Sequence, residues 1–242
     1  MRKWYTQERV CEVLRRCEQS GINTWQFHYS ERSMLDLQAY RAVGGSLQWI
    51  LLGDGPMLAN LDLIPQAARL NPIGILHHGG ATDQRFRAGE MDKVREFLKR
   101  VRASGVMAGL SAHNPAVIEF VESRGWDIDF YMTSFYQVTR TREELLKQLD
   151  AVPLGEVFLE EDPARMCKVV RQTRKTCLGF KILAAGRRSD TREMVDRAFQ
   201  FAFDHIKPQD CVIVGMYPRH RDEVRENTER VTRLLGTKSV VS

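Results

Sequence analysis

The sequence predicts an α/β protein folded as a TIM-type (β/α)8 barrel in a single domain, residues 1–242. Three observations carry this reading. Short apolar runs of four to seven residues alternate with amphipathic stretches of ten to fifteen along the chain. The apolar runs are continuous rather than alternating, as strands are when both of their faces are buried. The spacing of about 25–40 residues per unit leaves room for the crossover helix that parallel strands need. Seven such units suit a barrel better than an open sheet, and no early glycine-rich loop marks a dinucleotide-binding half-sheet.

Each element has its own signal. Residues 7–19 read as a helix with Val10, Val13, Leu14 and Cys17 on one face, closed by Gly21. Residues 22–27 are the first apolar run. Residues 47–52 are the second, after the Gly44-Gly45 turn, and 72–76 the third. A helix over 90–103 carries Val94, Phe97, Leu98 and Val101 at i, i+3, i+4 and i+7. Residues 106–110 form the fourth strand. Asn114-Pro115 then supplies an N-cap and a proline at the first helical position. Residues 129–135 are the fifth strand, and 137–160 is the least regular stretch. Asp162-Pro163 opens another helix, 178–183 is the sixth strand and 191–204 a helix. A seventh strand at 211–214 precedes the last helix, at 221–235.

Composition excludes several classes. No apolar run approaches the ~20 residues of a membrane span, and the first 20 residues carry no signal-peptide core. The five cysteines are odd in number and scattered, which points to a reduced, cytoplasmic chain. The net charge of +5 arises from 36 basic and 31 acidic residues intermixed, so it is no nucleic-acid footprint and suits a small-molecule substrate.

A barrel carries its chemistry at the C-terminal ends of its strands. The residues there are Gln26, His28, Asp54, His77, His78, Ser111, His113, Tyr136, Lys181, Tyr217 and Arg219. Five of the six histidines of the chain fall at strand ends, His205 being the exception. For any single histidine the ordinary alternative is a capping or core role.

Four segments together resemble the aldo/keto reductases. They are Gly21-Ile22-Asn23-Thr24 with Tyr29 and Ser30-Glu31; Ile75-Leu76-His77-His78; residues 108–115, with Ser111; and residues 212–218, with Glu226-Asn227 beyond. The resemblance spans about residues 7–235. It implies a (β/α)8 barrel and NADP-dependent reduction of a small carbonyl or sugar-type substrate. It makes His77 the better match of the adjacent pair and Tyr29 the tyrosine candidate. It assigns Ser111, Arg219, Glu226 and Asn227 to the cofactor. The departures are substantial. Gln26 stands where the family has aspartate, residues 49–54 lack its lysine, and Ala112 replaces an asparagine. The family's first barrel strand has no counterpart before residue 7, so the barrel is expected to be incomplete at its N-terminus, with exposed strand edges that favour a homo-oligomer or a covering segment.

Without the family lysine a tyrosine near its ordinary value of about 10 is a poor acid. Lys181, placed in an apolar run, is the expected substitute, by depressed basicity or by a Schiff base. Catalysis is therefore expected from His77, Lys181 and Tyr29, with Gln26, His28, Asp54, His78, His113 and Tyr136 around the substrate. Two alternatives stand beside this reading. One is a metal-dependent sugar isomerase, epimerase or lyase-type barrel, with histidines and Asp54 or Asp83 as ligands to a divalent metal. The other is a non-catalytic barrel that binds a ligand.

Overall fold

The computed structural model describes residues 4–238. Seven parallel strands lie in sequential order in one curled sheet, a barrel left open between its first and last strands. They are β1 (Thr24–His28), β2 (Gln48–Gly53), β3 (Gly74–His77), β4 (Met107–Ala112), β5 (Phe130–Ser134), β6 (Thr176–Phe180) and β7 (Cys211–Val212). The helices are α1 (Gln7–Gln19), α2 (Glu31–Ala42), α3 (Gly55–Ala59), α4 (Leu63–Ala68), α5 (Gly79–Arg87), α6 (Met91–Ala103), α7 (Pro115–Ser123), α8 (Arg142–Leu149), α9 (Asp162–Gln172), α10 (Arg192–His205) and α11 (Glu223–Lys238).

Local chemistry accounts for the helix starts. Thr6 caps α1, Asn114 caps α7 ahead of Pro115, and Thr191 caps α10. Reciprocal capping boxes open α2, through Ser30 and Ser33, and α8, through Thr141 and Glu144. The helix α2 escapes a periodicity reading because Leu35 is exposed while Asp36, Leu37 and Tyr40 are buried. The irregular stretch after β5 contains α8.

Alternation along the strands sorts side chains into two layers. Phe27, Trp49, Leu51, Ile75, Ala108, Leu110 and Tyr131 face outward and pack against the helices in the larger core. Ile50, Leu76, Phe130, Met132 and Leu178 face inward and fill the barrel. Phe130 lies across two inward glycines. A Cβ on Gly109 would come within 2.5 Å of its ring, and one on Gly74 within 2.8 Å. A large side chain from one strand thus uses space that two neighbours leave empty, as in close-packed interiors generally.

No ladder joins β1 to β7, in agreement with the incomplete barrel expected from the sequence. A terminal clasp spans the opening among the described residues. The Tyr5 hydroxyl donates to the Met216 carbonyl, and Trp4 meets Tyr217 edge-on at 5.1 Å. Arg16 on α1 bonds Asp222, just before α11, at 2.6 Å. No helix among the described residues is long and apolar enough to cross a membrane.

Candidate active site

Four adjacent strands deliver His28, Asp54, His78 and His113 to the C-terminal mouth. His28 ends β1 and follows Gln26 on the inward face. Asp54 follows the inward Ile50 and Leu52. His78 follows the inward Leu76, and His113 follows Gly109 and Ser111. Access to solvent is graded. His28 is exposed, the Asp54 side chain is 40% exposed, that of His78 33% and that of His113 10%.

His113 is held most firmly. Its Nδ1 lies 3.0 Å from Oδ2 of Asp83 on α5, a carboxylate with no exposed surface. Asp83 also accepts from the amides of His113 and Asn114 and, at 2.8 Å, from the Thr139 hydroxyl. A carboxylate beside Nδ1 selects the tautomer with its proton on Nδ1. The neutral ring therefore presents a bare Nε2. The face of the ring is steadied by Phe180, edge-on at 5.4 Å.

His78 is fixed in the opposite sense. It is the N-cap of α5, and its Nδ1 accepts from the Ala81 amide at 3.3 Å. Its proton therefore sits on Nε2, which lies 4.0 Å from Asp54 Oδ2. Burial holds this imidazole below its ordinary range. Asp54 works against that shift, and the nearby His113 and His28 add to it. The mouth thus offers a ring-nitrogen acceptor on His113 and a ring N–H donor on His78.

The adjacent His77 takes another role. It alternates onto the outward face with Ile75, and burial pushes it down to about 4. Its Nδ1 meets Thr82 Oγ1 at 2.8 Å, and its ring stands edge-on to Phe97 at 5.1 Å. Of the two histidines it is His78 that faces the barrel interior, the reverse of the preference drawn from the sequence.

The remaining expected residues disperse. Tyr29 packs against the outer core. The strand β6 stops at Phe180, which pairs with Ser134 of β5 while β7 pairs only at Leu178 and Gly179. Lys181 therefore leaves the sheet in a left-handed conformation, with φ 59°. Its ammonium faces Glu156 at 4.0 Å and the Phe158 ring, so it is not the buried strand lysine that the apolar run predicted. Tyr136 sits against Phe158 in a cleft of about 260 Å³, on the outer side of the sheet between α9 and α10, that Arg188, Met194 and Phe201 also line. Burial, opposed by Arg188, raises the Tyr136 phenol above its ordinary value.

The residues assigned to a cofactor are engaged locally. Glu226 pairs with Arg221 at 2.5 Å and lies 3.7 Å from Arg192. Asn227 accepts from Arg230 at 2.8 Å, and the Arg219 guanidinium lies 3.4 Å from the Tyr217 hydroxyl. Ser111 is buried in the sheet. As to metals, no three His, Cys, Asp or Glu side chains among the described residues converge closely enough to hold an ion. The Nδ1 of His78 is committed as an acceptor, whereas His113, with Asp83 behind its Nδ1 and its Nε2 bare, keeps the arrangement that a metal-ligating histidine also takes.

Sequence reasoning noted Asp83 only as an oxygen ligand for a metal. Its partnership with His113 crosses 30 residues and has no spacing rule. The Gly79-Gly80 pair directly after the two histidines was the available signal of a close approach at this strand end.

Fold and site together define a parallel α/β barrel protein with a histidine–aspartate cluster at its C-terminal mouth. No family model and no curated protein matches the sequence. Solved structures share the fold. A truncated 3-deoxy-D-arabino-heptulosonate 7-phosphate synthase from Thermotoga maritima aligns with a TM-score of 0.60 at 12% identity, over 98% of this chain and 83% of that one. Dihydropteroate synthase from Thermus thermophilus, in complex with 6HMPPP, aligns with a TM-score of 0.56 at 14% identity, over 96% and 88%. A second structure of that synthase gives 0.54 at 13%, over 96% and 89%. Such identities show the barrel fold alone. The structural neighbours are not aldo/keto reductases, which corrects the resemblance drawn from the four segments. Those segments mark generic strand ends and helix starts of a barrel. The expectation of NADP rested on that resemblance.

Proposed function

We propose that this chain is a barrel enzyme that moves a proton at the carbon beside the carbonyl of a small sugar-type substrate, as isomerases, epimerases and some lyases do. The observation that carries the reading is the buried Asp83–His113 pair, with Nδ1 and Oδ2 3.0 Å apart at a strand end. In this arrangement His113 Nε2 takes the proton, while Asp83 holds the ring and stabilises the imidazolium that forms. His78 donates from Nε2 to the substrate carbonyl as charge builds on its oxygen. His28 and Asp54, more exposed, meet the substrate hydroxyls. No step of this reading is routed through a metal; among the described residues no three ligand-type side chains converge. Support also comes from the fold, whose solved neighbours are named as synthases.

The test is solvent-proton exchange. The protein is incubated in D2O with a panel of aldoses, ketoses and 2-oxo acids, and loss of the C–H signal next to the carbonyl is followed by NMR. The expected result is exchange with the wild type that His113→Asn abolishes and that strong chelation leaves intact. Exchange removed by chelator would favour metal-assisted chemistry instead. Binding without exchange would favour the ligand-binding barrel.

A further inference from the structure

We infer that the junction of β4 and α5 forms an oxyanion subsite, made by the Ser111 hydroxyl and the amides of Gly79 and Gly80. It rests on the proton-transfer reading of the same mouth and specifies its substrate as one that develops an enediolate or carries a carboxylate.

Two independent observations meet here. Ser111 is 1% exposed, and its Oγ has no hydrogen-bond partner among the described residues. Leaving a buried hydroxyl unsatisfied is costly, so natural structures rarely do so without a use for the group. Of the other orphaned side chains, Trp49 and Thr133 alternate onto the outward face of the sheet, whereas Ser111 lies on the inward face, two residues before His113.

The second observation is the start of α5. The first amides of a helix have no intrahelical acceptor, and they carry the positive end of its dipole. In α5 the Ala81 amide is satisfied by His78 Nδ1, and the Thr82 amide bonds the His78 carbonyl. The amides of Gly79 and Gly80 remain. Ser111 is aimed at this end of the helix. A Cβ on Gly79 would stand 2.8 Å from Ser111 Oγ and 3.1 Å from His113 Cε1. Only glycine lets the helix terminus approach the hydroxyl and the base so closely.

The chemistry follows from that juxtaposition. When His113 takes a proton from carbon, the electron pair of the C–H bond moves into the carbonyl, whose oxygen becomes an enolate. Ser111 Oγ and the two amides donate to that oxygen, with His78 Nε2–H beside them. The proton returns from His113 to carbon, so the step needs no oxidant and no co-reactant. Neutral donors with no lysine or arginine among the contacts described for them suit a carboxylate or an enolate better than a phosphate.

The experiment uses the full chain with oxalate, a planar dianion shaped like an enediolate, and inorganic phosphate as comparison. Calorimetric titration gives affinities for the wild type, Ser111→Ala and the control Cys211→Ser. The expected result is that oxalate binds more tightly than phosphate. Ser111→Ala should weaken oxalate roughly tenfold or more, the worth of a hydrogen bond to a charged group, without lowering the melting temperature. Cys211→Ser, on β7 and outside the subsite, should keep oxalate binding within a few-fold. Unchanged oxalate affinity in Ser111→Ala would overturn the inference, as would a marked fall in its melting temperature, since the hydroxyl would then have a structural partner. If oxalate behaves as expected but no substrate in the panel exchanges its proton, the subsite stands and the proton-transfer reading falls. If exchange depends on His113 and not on Ser111, the reverse holds.

Discussion

Asp83 lies 3.0 Å from His113 across two different elements and has no exposed surface, so the carboxylate is committed to the imidazole and to the loop that carries it. Asp83→Asn keeps the shape and replaces one acceptor oxygen by a donor. The amide then selects the other ring tautomer and turns Nε2 into a donor. We expect proton exchange to fall by roughly ten-thousandfold, as the same change does behind the histidine of a Ser-His-Asp triad, with the barrel still folded. NMR exchange rates and far-UV circular dichroism on the same samples check both halves.

His77 is expected to be a core residue. His77→Ala removes a buried ring from against Phe97 and should cost about 2–4 kcal/mol, read as a lower urea midpoint. His78→Ala should cost less, because that side chain is one-third exposed and caps a helix, an interaction worth about 1 kcal/mol.

The same residue sets an acid limit. The His77 imidazole, at about 4 against an ordinary 6.5, favours the neutral form in the fold. The unfolded chain therefore binds this proton first as pH falls. Stability is undiminished above about pH 6.5, declines as pH drops through the interval to about 4, and levels below it. The loss is roughly 3 kcal/mol at most. Urea unfolding on either side of that interval should show a smaller acid loss in His77→Phe than in the wild type.

Gly109→Ala tests the packing inside the barrel. The added methyl meets the Phe130 ring at 2.5 Å, and a Cβ on Gly74 would meet the same ring at 2.8 Å. Overpacking of this kind costs about 1–3 kcal/mol. Pairing the change with Phe130→Leu should recover part of it, which thermal unfolding of the single and double variants would show.

Arg140 and Asp162 form an ion pair whose side chains are 4% and 2% exposed. Asp162 also accepts from the Gln137 amide at 3.1 Å, so the pair ties the loop after β5 to the start of α9. Removing one partner of a buried pair leaves a bare charge, and Arg140→Ala should cost about 3–5 kcal/mol. The change in denaturation midpoint measures it. The double variant Arg140→Met with Asp162→Asn should be milder.

The seven strands and most of the long helices were legible in the chain of residues. These are local matters. Continuous apolar runs make buried parallel strands, and caps such as Asn114 before Pro115 mark helix starts. The same reading brought His28, Asp54, His78 and His113 forward together, because each ends or directly follows a strand. Packing in three dimensions settled the rest. Which of His77 and His78 faces inward depends on the register of β3 against β2 and β4, and a shift of one residue exchanges them. Lys181 lies past the end of β6 in a left-handed conformation, which the apolar run around it does not encode. The resemblance built on four short segments failed for a related reason, since strand ends and helix starts look alike across barrels. Asp83 reached His113 only through the packing of α5 against β4, a contact 30 residues apart that no local spacing encodes.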